Sequence, residues 1–199
     1  MATMFFGQYL LAKGVIDRDA LLDALDRQRR SNLSLPDLAV QEGLIERSRA
    51  EAIMAQYRMS DDPIEDILAS SGGLDADQIR RLQSKQRSSW LRIGAALVEG
   101  GYMSDEAIAA NLEDYRSLES AADEEIREAM RHLPNADAVG ACVELTMFHF
   151  GRVSGRPTKL GSITREPDQP AAGRQRFSQR IVGDGDYTLA LDLPPVLIA

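Results

Sequence analysis

Four arginines at a constant spacing are the residues best suited to hold an anionic ligand. They recur at equal intervals along the chain, at Arg29, Arg58, Arg87 and Arg116. Each one directly follows a glutamine or a tyrosine, in the order Gln28, Tyr57, Gln86, Tyr115. A guanidinium forms paired hydrogen bonds with a phosphate or carboxylate, and an amide or phenol hydrogen-bonds to a base or stacks on it. The simpler interpretation is that each arginine offsets the dipole at the end of a helix.

Each arginine directly follows one unit of a repeat, where it is predicted to close the second helix of that unit, and a glycine lies near the middle of each unit. The glycines are Gly14, Gly43, Gly72 and Gly101. A short apolar segment with helical spacing precedes each glycine, and a longer amphipathic segment follows it. Glycine is suited to the left-handed residue that ends the first helix. Asp17, Asp75 and Ser104 are good N-caps for the second helix, and Glu46 is a weak one.

The repeat determines the domain organisation that we expect. Residues 1–118 hold four helix–turn–helix units and about eight helices, and the units are 5–28, 34–57, 63–86 and 92–115. One unit cannot bury its apolar stripe alone, so the four form either a stacked solenoid or two lobes of two units. The alternation of glutamine and tyrosine at the unit ends favours two lobes.

The remainder of the chain, residues 119–199, has a different pattern and predicts a small α+β domain with an antiparallel sheet. A helix is predicted over Ser120 to Leu133. Apolar residues then alternate with a period of two, which is typical of strands. The predicted strands are Val139 to Phe148, Thr158 to Thr164, Arg176 to Val182 and Tyr187 to Leu193. The apolar end, 194–199, requires a packing surface on its own sheet or on a second copy of the chain.

The repeat resembles the MshEN domain, which is the cyclic-di-GMP-binding N-terminal module of bacterial pilus and type II secretion ATPases. The motif of that domain is as long as the stretch from Phe5 to Gln28, begins Arg-Leu-Gly, carries glycine at its tenth position and ends in glutamine. A short spacer precedes the next copy of the motif, and motif and spacer together reproduce the interval between the arginines. The resemblance covers residues 5 to 115.

The resemblance implies that the units bind cyclic-di-GMP, with apolar side chains as walls for its bases and polar side chains as donors to its phosphates. The leading arginine of the motif is replaced by Phe5 in the first unit and is present as Arg92 in the fourth. The ligand-binding residues implied by the motif are Gly7, Leu10, Leu11, Gly14, Leu21, Leu25, Gln28, Gln86, Arg92, Gly94, Leu97, Gly101 and Tyr115.

Composition excludes several classes of function. The 199 residues carry a net charge of −8, and a chain without a cationic surplus is a poor partner for DNA or RNA. One cysteine and two histidines predict no metal site, and no cofactor is expected. No apolar run is long enough for a bilayer span and no secretion signal precedes the repeat, so we expect a cytoplasmic protein without membrane insertion.

No set of residues predicts catalysis. A phosphate-binding GxxxxGK[ST] loop does not occur, so the ATPase that usually follows an MshEN domain is missing from this sequence. The predicted strands of the C-terminal part lead to the step Leu191-Asp192-Leu193-Pro194, and this arrangement weakly resembles the CheC/CheX chemotaxis phosphatases. Their Glu-x-x-Asn motif does not occur in the sequence either.

The function that we expect is that of a non-enzymatic cytoplasmic signalling regulator that binds cyclic-di-GMP through its helical repeats. The alternatives are a ligand-free protein-interaction scaffold and, third, a CheX-like phosphatase. The C-terminal α+β domain is expected to carry the output or to form a homodimer, and a protein partner is a further expectation.

Overall fold

The computed structural model describes residues 4–133, 136–155, 157–160, 175–182 and 186–193. The chain divides into two compact units, Met1–Ser162 and Ile163–Ala199. The described part of the first unit is mainly helical, and that of the second is a two-stranded sheet. None of the helices in the described residues is long and apolar enough to cross a membrane.

Short and long helices alternate along the repeats. The short helices have seven residues each and start at the constant interval of the repeat: α1 Phe6–Ala12, α3 Leu35–Gln41, α5 Ile64–Ser70 and α7 Ile93–Glu99. The long helices are α2 Arg18–Ser31, α4 Arg47–Met59, α6 Ala76–Ser89 and α8 Asp105–Arg131. A ninth helix, α9, spans Ala136–Ser154.

The predicted helix caps are confirmed. Asp17, Asp75 and Ser104 each accept a hydrogen bond from the backbone N–H three residues later, which satisfies one of the free amides at the start of the long helix. Glu46, the weak cap in the sequence, makes no such bond.

The turn between the helices differs from the prediction in the third unit. Gly14, Gly43 and Gly101 have φ values of 71°, 69° and 74°, in the left-handed region as expected. In the third unit Gly73, at 70°, is the left-handed residue instead of Gly72. A Cβ on Gly72 would lie only 2.4 Å from the carbonyl oxygen of Leu68, so that glycine permits a close approach of backbone.

The four units form two lobes, and the units that share a lobe are not those that follow each other. The outer lobe consists of units one and four, whose core contains Leu10, Leu21, Leu97 and Tyr115. The inner lobe consists of units two and three, whose core contains Leu38, Ile53, Ile67, Leu68 and Leu82. Each half of the repeat region therefore contributes one unit to each lobe.

This pairing has an approximate two-fold symmetry that corresponds to a shift by two units of the repeat. The side-chain amide of Gln28 donates to the carbonyl oxygen of Leu91 at 3.0 Å, and that of Gln86 donates to the carbonyl oxygen of Leu33 at 2.9 Å. The two donors are separated by two units of the repeat, and so are the two acceptors, which makes the two bonds equivalent. The shared unit-end glutamines thus join the end of one unit to the start of its partner.

The linkers between units one and two and between units three and four cross at these bonds. Asn32 holds both backbone groups of Leu91: its Nδ2 donates to the carbonyl oxygen at 2.9 Å, and its Oδ1 accepts from the N–H at 2.7 Å. Beside them, Ser31 Oγ donates to the carbonyl oxygen of Ser89 at 2.8 Å. We call this contact the linker crossing.

The predicted α+β domain after Leu118 is wrong. Helix α8 continues through Leu118 to Arg131, where a new helix was expected to begin at Ser120. The run from Val139 to Phe148 is not a strand but lies in α9.

The reason for this error is that the apolar pattern of α9 fits two periods. Val139, Val143, Met147 and Phe150 are half-buried residues of α9, and their spacings of four and three are helical. The first three also lie at even spacings, as residues on one face of a strand do. Residues 158–160 have no regular structure, and the rest of the strand predicted over Thr158 to Thr164 lies outside the described residues, as does the apolar end 194–199.

The described part of the second compact unit is an antiparallel pair of strands. Strand β1, Gln175–Val182, pairs with β2, Asp186–Leu193, in a register that runs from Gln175 opposite Leu193 to Val182 opposite Asp186. These segments are two of those in which strands were predicted. Two strands with no helix among the described residues of the same unit do not make an α+β domain.

Asn32→Ala is expected to destabilise the protein because it leaves the N–H of Leu91 without its partner. The free energy of unfolding should fall by about 1–3 kcal/mol in urea titrations followed by circular dichroism. Ser88→Ala removes only a local bond on the exposed end of α6 and is the control, with an expected change within about 0.5 kcal/mol. Equal stabilities of the two variants would contradict a structural role for the linker crossing.

Candidate functional site

A solvent-open cavity of about 300 Å³ lies where unit three meets unit four. Its lining residues are Gln86, Arg87, Trp90 and Arg92. The first two belong to the last turn of α6, Trp90 follows that helix, and Arg92 precedes α7. We call this feature the junction cavity.

The backbone between the two helices determines which side chains reach the cavity. Trp90 and Arg92 both have extended backbone, with φ and ψ of −68° and 107° and of −82° and 152°. Side chains two residues apart on extended backbone point to the same side, and the one between them points to the other. Leu91 accordingly packs against the core of the outer lobe, while its two neighbours line the cavity.

The cavity combines positive charge with an exposed aromatic ring. Arg87 and Arg92 are exposed, and within the described part of the chain neither takes part in an ion pair. Trp90 is 56% exposed, which is unusual for the largest apolar side chain. Two guanidiniums suit a phosphate group, and an exposed indole suits the face of a base.

Two of the residues predicted to bind a ligand, Gln86 and Arg92, therefore line the same cavity. Gln28 lies at the equivalent place in the first unit, where its amide is bonded to Leu91.

Most of the apolar residues that were predicted to contact a ligand lie in the hydrophobic core. Leu10 and Leu97 are completely buried and Leu21 nearly so, all in the core of the outer lobe. A side chain without exposed surface cannot touch a ligand unless the lobe rearranges. Leu11 and Leu25 are 37% and 41% exposed, on the surface of that lobe.

The predicted glycines also serve the fold. A Cβ on Gly7 would lie 2.7 Å from Leu21 Cδ1, and one on Gly94 would lie 3.0 Å from Ile108 Cγ2. Both glycines thus let a short helix approach the long helix of its own unit closely, whereas Gly14 and Gly101 form the left-handed turns. The motif implied ligand binding for Gly7 and Gly94, and the structure gives both a packing role.

Tyr115 is held in a polar cluster of the outer lobe. Its ring packs against Phe6 and Tyr9, with centroid distances of 5.3 and 5.5 Å. Its hydroxyl lies 2.9 Å from the carbonyl oxygen of Met4 and 3.0 Å from Glu119 Oε1. Lys159 Nζ donates to both the hydroxyl and the carboxylate. The phenol is therefore fully engaged within the protein.

The charges of this cluster shift each other's pKa. The hydrogen bond from Lys159 lowers the pKa of Glu119, against a smaller opposing effect of burial. For Lys159, burial alone would lower the pKa, but the bonds to Glu119 and Tyr115 outweigh it and the pKa is raised. Both groups are consequently charged at neutral pH.

Tyr57, the equivalent residue of the inner lobe, also meets a cation from the C-terminal segment. The guanidinium of Arg152, on α9, lies 4.0 Å from the centre of the Tyr57 ring. It donates to the carbonyl oxygens of Tyr57 at 2.7 Å and of Asp62 at 2.6 Å. Each lobe thus contacts the segment that follows the repeats through one cation and one tyrosine, Arg152 with Tyr57 and Lys159 with Tyr115.

The four arginines that follow the repeat units are all exposed. Arg29, Arg58 and Arg87 lie near the ends of α2, α4 and α6, whereas Arg116 lies within α8, which continues to Arg131, so the helix-end interpretation fails for Arg116. Arg29 forms an ion pair with Asp26 at 3.0 Å, and Arg87 lines the junction cavity. Sequence reasoning did not select Trp90 as a ligand-binding residue, because it lies in the spacer between two motifs. The available signal was that it is the only tryptophan of the chain.

The bond between Lys159 and Glu119 predicts a pH-dependent contribution to stability. The lowered pKa of Glu119 makes its contribution present above the ordinary carboxyl pKa and lost as the pH falls through the lowered value. Glu119→Gln should therefore be less stable than the natural protein at pH 7, by less than about 1 kcal/mol because the carboxylate is partly exposed. The difference should disappear in urea titrations repeated at progressively lower pH, below the ordinary pKa of glutamate. A difference that stays constant across this range would contradict the ion pair.

Among the residues that the structure describes, no group of histidine, cysteine and carboxylate side chains is arranged to hold a metal ion. Comparison of the chain with models of protein families, with curated proteins and with solved structures gave no match.

Proposed function

We propose that the protein is a non-enzymatic cytoplasmic signalling regulator that binds cyclic-di-GMP through its helical repeats, at the junction cavity. The observation that supports this proposal is the convergence of Arg87, Arg92 and the exposed ring of Trp90 on one cavity. The resemblance of the repeat to the MshEN motif names the ligand, and the cavity offers groups of matching chemistry.

The ligand has two kinds of group that this cavity can hold. Its phosphodiesters are anions, and Arg87 and Arg92 supply guanidinium donors for them. Its guanine bases are flat and carry N–H donors, which suit the indole of Trp90 and the amide oxygen of Gln86. That oxygen is oriented by the rest of the amide, which donates to Leu33.

A second candidate is a ligand-free protein-interaction scaffold, and one observation favours it. Helix α9 exposes Leu145, Phe148 and Val153, which are 58%, 57% and 59% accessible, and exposed apolar residues of this size on one helix are typical of contact surfaces. The phosphatase alternative has no such support, because the Glu-x-x-Asn motif does not occur in the sequence.

Calorimetric titration of the purified protein with cyclic-di-GMP tests the leading proposal. Binding in the micromolar range or tighter is expected, and Arg92→Ala should weaken it about 10- to 100-fold because a charged hydrogen bond to phosphate is lost. Arg29→Ala is the matched control. It removes the arginine that closes the first unit, which is already paired with Asp26, and should leave the affinity unchanged.

No heat with tens of micromolar ligand would reject cyclic-di-GMP binding. Equal losses in both arginine variants would place the ligand elsewhere. A stable protein partner whose affinity does not respond to the nucleotide would favour the scaffold.

A further inference from the structure

We infer that Trp90 is the surface on which a ligand base stacks, and that only one of the two symmetry-related junctions binds a ligand, so that each chain takes one molecule. This inference rests on the proposed function and adds to it a base-stacking residue and a stoichiometry.

The repeat symmetry gives the junction cavity a counterpart. A shift by two units relates its lining residues to Gln28, Arg29, Asn32 and Ser34. The two glutamines make equivalent bonds across the linker crossing, so the two junctions are built on the same backbone frame. The other three pairs of equivalent positions differ. At two of them the residue type differs, and at the third both residues are arginine but only one has an ion-pair partner in the part of the chain that the structure describes.

Asn32 occupies the position equivalent to Trp90, and both polar atoms of its side chain are hydrogen-bonded within the protein. Its amide holds the N–H and the carbonyl oxygen of Leu91 at 2.7 and 2.9 Å. An indole has one donor and no acceptor, so Trp90 cannot hold Leu33 in the same way. Gln86 bonds to the carbonyl of Leu33, and the indole is left exposed.

Ser34 occupies the position equivalent to Arg92, and its hydroxyl is also hydrogen-bonded within the protein. Its hydroxyl accepts from the N–H of Asp37 at 3.2 Å and donates to the carboxylate of Asp37 at 2.6 Å. It thereby caps α3, whereas Arg92 makes no side-chain cap on α7. The guanidinium of Arg92 lines the cavity instead.

The two equivalent arginines, Arg29 and Arg87, also differ in whether a contact within the protein occupies the side chain. Arg29 is paired with Asp26, while Arg87 lines the cavity without an ion pair among the residues described. At the junction after unit one, the side chains of Gln28 and Asn32 hydrogen-bond to the other linker. At the junction after unit three, the side chains line the cavity and are accessible to a ligand. One ring and two guanidiniums on a single side of the molecule hold one nucleotide ligand.

Trp90 provides its own signal because it is the only tryptophan in the chain. Titration of the full chain with cyclic-di-GMP should change the tryptophan emission and saturate at one ligand per chain. Trp90→Ala should lower the affinity roughly 5- to 150-fold in calorimetry, the range for loss of one stacked base, and Trp90→Phe should keep it within a few fold. Ser34→Ala, at the place equivalent to Arg92, is the control and should bind like the natural protein.

The unfolding transitions of the variants establish whether each is folded, and the phenylalanine variant tests stacking without loss of the ring. Two ligands per chain, or unchanged affinity in a folded Trp90→Ala variant, would overturn this inference while cyclic-di-GMP binding stands. Absence of any binding to the natural protein would overturn both.

Discussion

The structure depends on the crossing of two linkers, at which Asn32 holds both backbone groups of Leu91. Because the linkers cross, the chain leaves the outer lobe after its first unit, builds the whole inner lobe, and returns to complete the outer lobe. Two polar backbone groups in the middle of a partly buried contact must be satisfied, and the asparagine does so with one side chain. The outer lobe is not closed until all four units are in place, so the repeat region is a closed arrangement of units and not an open array.

The repeat contains two equivalent junctions, one after unit one and one after unit three, and their side chains have different roles. At one junction the side chains complete the linker crossing and cap a helix, and at the other they face solvent around Trp90. In contrast, the equivalent residues Tyr57 and Tyr115 have the same role in the two lobes, since each is contacted by a cation of the segment after the repeats, Arg152 or Lys159. The segment after the repeats is thereby coupled to both lobes.

The sequence was sufficient to predict the eight helices of the repeats and their caps, because these follow from local periodicity and from single capping residues. For the arrangement of the units it left a solenoid and two lobes open, and the alternation of glutamine and tyrosine favoured two lobes. It was not sufficient for the pairing of the units. Every unit carries the same apolar pattern, and the partner is selected by residues such as Asn32 and Gln28, whose bonds the apolar pattern does not reveal. For the site, the motif indicated Gln86 and Arg92 but not Trp90, which lies in a spacer. Helix α9 was mistaken for a strand because its apolar residues fit both periods.

The most direct test of the interleaved pairing uses the three lysines of the chain, Lys13, Lys85 and Lys159. Each has a carboxylate partner in another part of the fold: Asp114, Glu42 and Glu119. Zero-length carbodiimide cross-linking followed by mass spectrometry should join Lys13 to Asp114, which links units one and four, and Lys85 to Glu42, which links units three and two. Cross-links from Lys13 to carboxylates of unit two, or from Lys85 to those of unit four, in place of these would contradict the account.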